Sequence, residues 1–139
     1  MGLLKILKKN KVSTFPLEFE VAGLFAREDE AKAVMGKNPA LEKARKVAGK
    51  KIYVLASFED FCELVPEPKN KHDDQAIMVM VNGHHIGYVP KEMQEQIKPR
   101  MKAGQKTSVR LWGGNYRVYE DGEWVTYKGS IRGSVTICG

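Results

Sequence analysis

Asn82-Gly83 constrains this chain more than any other pair of residues. Both tolerate φ > 0, so together they suit a two-residue hairpin turn whose twist matches that of its strands. The flanking residues agree: Ile77–Val81 is apolar throughout and residues 84–89 read as the return strand. Five consecutive apolar residues predict a strand covered on both faces. Before the hairpin lies a polar loop, residues 68–75, with no apolar side chain after its proline. Its Asn70 and Asp73 are suited to hydrogen-bond their own backbone in Asx-type turns. After the hairpin, Pro90 fits the first turn of a helix and Glu92 the positive end of its dipole.

With 139 residues the chain is long enough for one domain with a single core. We expect that domain over residues 15–139, with a basic extension at 1–14 and a helical elaboration at about 28–50. Hydrophobic residues make up 42% and charged residues 29%, which excludes a disordered or fibrous chain. The formal charge of +6 leans toward anionic partners. The first residues, Met1-Gly2-Leu3-Leu4-Lys5-Ile6-Leu7-Lys8-Lys9, give too short an apolar run for a signal peptide or a membrane span. A cytoplasmic location and no stable membrane insertion are therefore expected. Cys62 and Cys138 are expected as reduced thiols.

Along the chain, residues 19–23 alternate with period two and predict the first strand. From Glu28 the period changes to that of a helix, with Ala31, Val34 and Met35 on one side and Gly36 as the stop. Asn38-Pro39 predicts a second helix up to Gly49, with a cationic face of Lys43, Arg45 and Lys46. Strands are expected at 52–58 and 61–65, separated by a turn at Glu59-Asp60. Met93 and Ile97 share a helix face that Pro99 is expected to end. Lys98, Arg100, Lys102, Lys106 and Arg110 follow with no acid among them. The last third alternates aromatic and β-branched segments with Gly-Gly-Asn and Glu-Asp-Gly turns, which predicts an antiparallel meander. The whole is mainly β (α+β): a small, partly open antiparallel barrel with two or three short helices.

Catalytic motifs are weak. His84 and His85 alternate along a strand, so they point to opposite faces and do not share a metal, and no zinc-ligand spacing is present. Gly104-Gln105-Lys106-Thr107 lacks the other glycines of a P-loop, and no Gly-x-Ser-x-Gly elbow occurs. No enzyme activity and no cofactor are expected. Single-stranded nucleic acid needs cations along a groove and aromatic faces for unpaired bases, and the chain supplies both.

The order Asn70-x-x-Asp73-x-x-Ala76-Ile77, then Asn82-Gly83-x-x-Ile86-Gly87-Tyr88-Val89-Pro90-Lys91-Glu92, resembles the HIRAN domain. That family occurs fused to fork-remodelling helicases and nucleases, and as small free-standing bacterial and phage proteins. The resemblance implies an OB-like barrel that captures the 3′ end of single-stranded DNA. It implies that Asp73 accepts from the terminal 3′-hydroxyl, that Asn70, Tyr88 and Lys91 contact phosphates, and that His72 stacks or donates. Lys71 stands where the family usually carries a proline. At the end of the first strand, where eukaryotic members have a basic residue and paired tyrosines, this chain reads Phe25-Ala26-Arg27. Phe25 and Arg27 keep one aromatic face and one cation, while Ala26 offers no ring. With Arg100 from the acid-free run, these residues form the expected nucleic-acid site. The expected partners are single-stranded DNA or its 3′ ends, and a helicase or nuclease. The alternative reading is a non-catalytic protein-interaction or structural module on the same fold.

Overall fold

The computed structural model describes residues 12–139; most of the expected basic extension at 1–14 lies outside them. Among the described residues ten strands, numbered in chain order, form three antiparallel sheets. The first sheet has the order β1-β10-β7-β3, with β1 Leu17–Glu20, β3 Phe58–Phe61, β7 Lys106–Gly113 and β10 Ile131–Cys138. The second is β4-β5-β6, with β4 Glu63–Pro66, β5 Ile77–Val81 and β6 His84–Tyr88. The third is β2-β8-β9, with β2 Lys51–Tyr53, β8 Tyr116–Glu120 and β9 Glu123–Tyr127. The described residues also hold two helices, α1 Glu28–Met35 and α2 Gln94–Lys102, each preceded by a short 3-10 turn.

The expected hairpin forms as read. Asn82 and Gly83 have φ of 48° and 80°, joining β5 to β6. In β5, Ile77, Val79 and Val81 are buried while Met78 and Met80 are half-buried, so the second face is covered only in part. Pairing slips between Val79 and Met80, and this irregularity gives β6 two consecutive buried residues, Ile86 and Gly87. The core lies between the first two sheets, where β5 and Ile86 meet Val109, Leu111, Val135 and Ile137, with Ile97 of α2 also buried. The helix α1 buries Ala31 and Met35, one turn apart on one face.

Two crossings connect the first two sheets. At Cys62 the chain passes from β3 to β4 while its N–H still donates to Thr107 of β7. At the other crossing Val21 donates to Gly133 of β10, and Ala22 and Tyr88 then exchange backbone bonds of 2.8 and 2.9 Å. The sheets thus curl around one core without closing into a barrel. Cys62 and Cys138 are both free, and burial pushes the Cys62 thiol up to about 11.

Three local expectations are corrected. No helix forms at 38–49. Asn38 does accept the capping bond from Ala40, at 3.0 Å, but only isolated turns follow. The segment's ends are tied elsewhere, Asn38 to Val54 just after β2 and Gly49 to Tyr119 of β8, and Val47 is exposed. A short helix without an apolar surface to cover is marginal. Glu59 and Asp60 do not form a turn: they lie in β3 opposite Arg110 and Val109. The break comes earlier, where Val54 and Ala56 donate to Asn115 and Gly36. Pro99 does not end α2, which runs on to Lys102. Both Pro99 and Glu95, whose carbonyl loses its donor, are exposed, so the helix is interrupted only on its solvent side.

Gly87 is required where β6 meets the chain after β1. A Cβ there would lie 2.6 Å from the Ala22 carbonyl oxygen and 2.4 Å from Val21 Cγ1. Gly87→Ala is expected to destabilise the fold by about 1–3 kcal/mol, as overpacking does. Urea denaturation measures this, and a change within about 0.5 kcal/mol would contradict the close approach.

Candidate nucleic-acid interface

The loop after β4 is built by its own side chains. Asn70 Oδ1 accepts from the backbone N–H groups of His72 and Asp73, at 2.8 and 3.0 Å. Asp73 Oδ1 accepts from Gln75 N at 2.9 Å, and its Oδ2 accepts from the Gln94 amide of α2 at 2.8 Å. The Asx-type turns expected from the sequence are therefore present. The buried Gln94 also fixes the Asp73 carboxylate against the helix.

The other face of Asn70 meets β6. Its amide donates to Glu67 Oε1 at 2.6 Å, and the Tyr88 hydroxyl donates to the same oxygen at 2.9 Å. Arg27 stands over the Tyr88 ring, 5.7 Å from its centroid. His85 packs edge-on against that ring at 4.7 Å, and one of its ring nitrogens lies 2.9 Å from the Gly87 carbonyl. The Ala22–Tyr88 bridge carries the turn Leu24–Arg27 to this place. Gly23, at φ 71°, directly precedes that turn and lets the chain change direction there.

The site mixes both signs of charge. Hydrogen bonds from Asn70 and then Tyr88 hold the Glu67 carboxyl below its usual range. Those from Gln94 and then the Gln75 backbone do the same for Asp73, with Lys91 and Lys98 adding to the effect. Both carboxylates are ionised at neutral pH. Burial, and then the Glu67 carboxylate, push the Tyr88 phenol up, so it remains a donor. Burial and then Arg27 push His85 below its usual value.

Asn70, Asp73, Tyr88 and Arg27 are thus drawn together, and His72 and Lys91 are exposed beside them on the loop and after Pro90. Phe25 is 83% exposed on the Leu24–Arg27 turn. Arg100 does not join them. It is 7% exposed, and its guanidinium donates to the carbonyls of Phe15 and Ile137 and to the Gln105 side chain. The acid-free run is divided in the same way. Lys98 binds Gln75 and Glu95, and Arg110 lies over Trp112. His84 and His85 point to different partners, His84 to Glu30 of α1.

Glu67 and Gln94 were not legible as site residues. For Glu67 a signal existed in the register: Val65 opposes Met78, which opposes Tyr88, so Glu67, two residues past Val65, falls on the Tyr88 face. Gln94 gave none, because its contact depends on how α2 docks.

No helix among the described residues is long and apolar enough to cross a membrane. No curated protein and no solved structure matches the chain. The family model described as the HIRAN domain matches residues 50–131. The match includes the loop, the hairpin and the third sheet, and leaves β1, the Leu24–Arg27 turn and α1 outside it. The chain belongs to the HIRAN domain family, a family of DNA-binding modules.

Proposed function

We propose that this protein recognises the 3′ end of single-stranded DNA in the loop that follows β4. The observation that supports this most is the meeting of Asn70, Asp73 and Tyr88 with Arg27, a residue far away in sequence, around one surface site. In this reading Asp73 accepts from the terminal hydroxyl on lone pairs that Gln75 and Gln94 leave free. Arg27 and Lys91 neutralise phosphates, with Asn70 and Tyr88 beside them. Phe25 and His72 offer faces to the last bases. The Glu67 charge is held by its two donors, which limits its repulsion of a phosphate.

The protein acts by binding rather than catalysis in this proposal, in the cytoplasm, in DNA repair or replication with a helicase or nuclease partner. One observation favours the second reading, a protein-interaction module. Phe61, 69% exposed, together with Val65, Met78 and Met80 lines a groove of about 410 Å³.

A carboxylate accepts from a hydroxyl and repels a phosphate at the same point, so Asp73 is the residue that separates the two kinds of end. Asp73→Ala should weaken binding of a free 3′-hydroxyl strand by about 10- to 100-fold, as for loss of a charge-assisted hydrogen bond. Binding of a 3′-phosphorylated strand should be unchanged or improved. Anisotropy titrations of both strands, with a melting curve, check this. Equal loss on both, with a lowered melting temperature, would make Asp73 a brace of the loop only.

Phosphate contacts should also make binding electrostatic. Each phosphate neutralised on a single strand contributes about −0.7 to the slope of log K against log salt. The slope should be clearly negative and become shallower in Arg27→Gln and Lys91→Gln. An affinity independent of salt would exclude contact led by phosphates.

A further inference from the structure

The third sheet stands apart from the core: no residue of β2, β8 or β9 is buried. Its strands nevertheless place three large rings in one row, since Tyr53 opposes Tyr116 and Tyr116 opposes Tyr127. Tyr116 and Tyr127 stack at 5.6 Å with 17° between planes, and Tyr53 meets Tyr116 edge-on at 5.9 Å. Tyr127 lies on β9, at the edge of this sheet among the described residues, and its hydroxyl donates to Glu120. Tyr53 and Tyr127 keep 40% and 38% of their surface exposed. Tyr116 is covered by Tyr127 and Lys51, so the open ring surface lies at the two ends of the row, on Tyr53 and Tyr127. Exposed aromatic rings held in place outside a core are what unpaired bases stack on.

The charge around the row fits a phosphate backbone. Lys51 Nζ lies 4.2 Å from the Tyr116 centroid and 5.1 Å from that of Tyr53. Lys128 follows Tyr127 directly and is exposed, as is Lys50. The exposed Lys43, Arg45 and Lys46 belong to the loop that Gly49 and Lys50 tie to Tyr119 of β8. Of the acids of this sheet, Glu120 reaches the row, where its carboxylate accepts from the Tyr127 hydroxyl, while Asp121 and Glu123 are at the β8–β9 turn.

We infer that the row Tyr53, Tyr116 and Tyr127, flanked by Lys51 and Lys128, is a second contact for single-stranded nucleic acid that stacks bases internal to the strand. The row shares no residue with the Asn70–Asp73 site. It takes only its ligand class from the 3′-end reading and does not require that the end itself be recognised.

The test uses an oligothymidylate whose 3′ end is blocked by phosphate, and a strand of equal length made of abasic residues. Tyr53→Ser/Tyr127→Ser should weaken binding of the thymidylate by about tenfold or more, from the loss of base stacking, and leave the abasic strand unaffected. Both side chains are solvent-facing, and a melting curve checks that the fold is kept. Should the pair unfold, Tyr127→Ser alone is read in the same way. Unchanged affinity overturns the inference while leaving the 3′-end reading standing, and equal loss on the abasic strand overturns it as well. A parent protein that binds no blocked strand does the same. A parent that sediments as a dimer and a variant that sediments as a monomer would assign the row to self-association instead.

Discussion

Two backbone hydrogen bonds between Ala22 and Tyr88 hold together parts of the chain that are otherwise distant in sequence. They continue β1 from its partner β10 onto β6, and so bring the first sheet against the edge of the second. Gly87 makes the approach possible, because any side chain there would occupy the position of the Ala22 carbonyl. The core beneath depends on that approach, since Val21 and Leu24 reach it from the same segment. So does the surface above, where Arg27 reaches the ring of Tyr88.

The electrostatic character of the site follows from this arrangement rather than from net charge. Two carboxylates stand within a basic protein, each held by neutral amide or hydroxyl donors. Fixed donors favour the ionised form first, and the nearby charges of Arg27 and Lys91 add to the effect at Glu67 and Asp73 respectively. In the proposed reading the hydroxyl of a strand end meets Asp73 while its phosphates meet Arg27 and Lys91. A uniformly basic groove would bind backbone without regard to its end.

Local chemistry was legible in the sequence wherever a residue's own backbone determined its role. Asn82-Gly83 gave the turn, Asn70 and Asp73 the loop, and Gly36 the end of α1. What failed depended on distant partners. Asn38 began a turn as its type predicts, but the residues after it found no surface to cover, and no helix followed. Arg100 read as one more cation in a run, yet the packing of α2 against β10 and Phe15 buried it among carbonyls. Pairing of tyrosines across β2, β8 and β9 could not be read from any one strand either, because it depends on a register between segments more than sixty residues apart at the extremes, Tyr53 and Tyr127.

The central claim is that the loop at 67–75 and the Leu24–Arg27 turn act as one site for a strand end. Titration of isotope-labelled protein with a short single strand bearing a free 3′-hydroxyl, followed by amide chemical shifts, tests it most directly. The account predicts that His72, Asp73 and Tyr88 shift together with Phe25 and Arg27 along one saturation curve, and that a 3′-phosphate weakens all of them in parallel. Shifts confined to other surfaces, with these five amides unmoved at saturation, would contradict it.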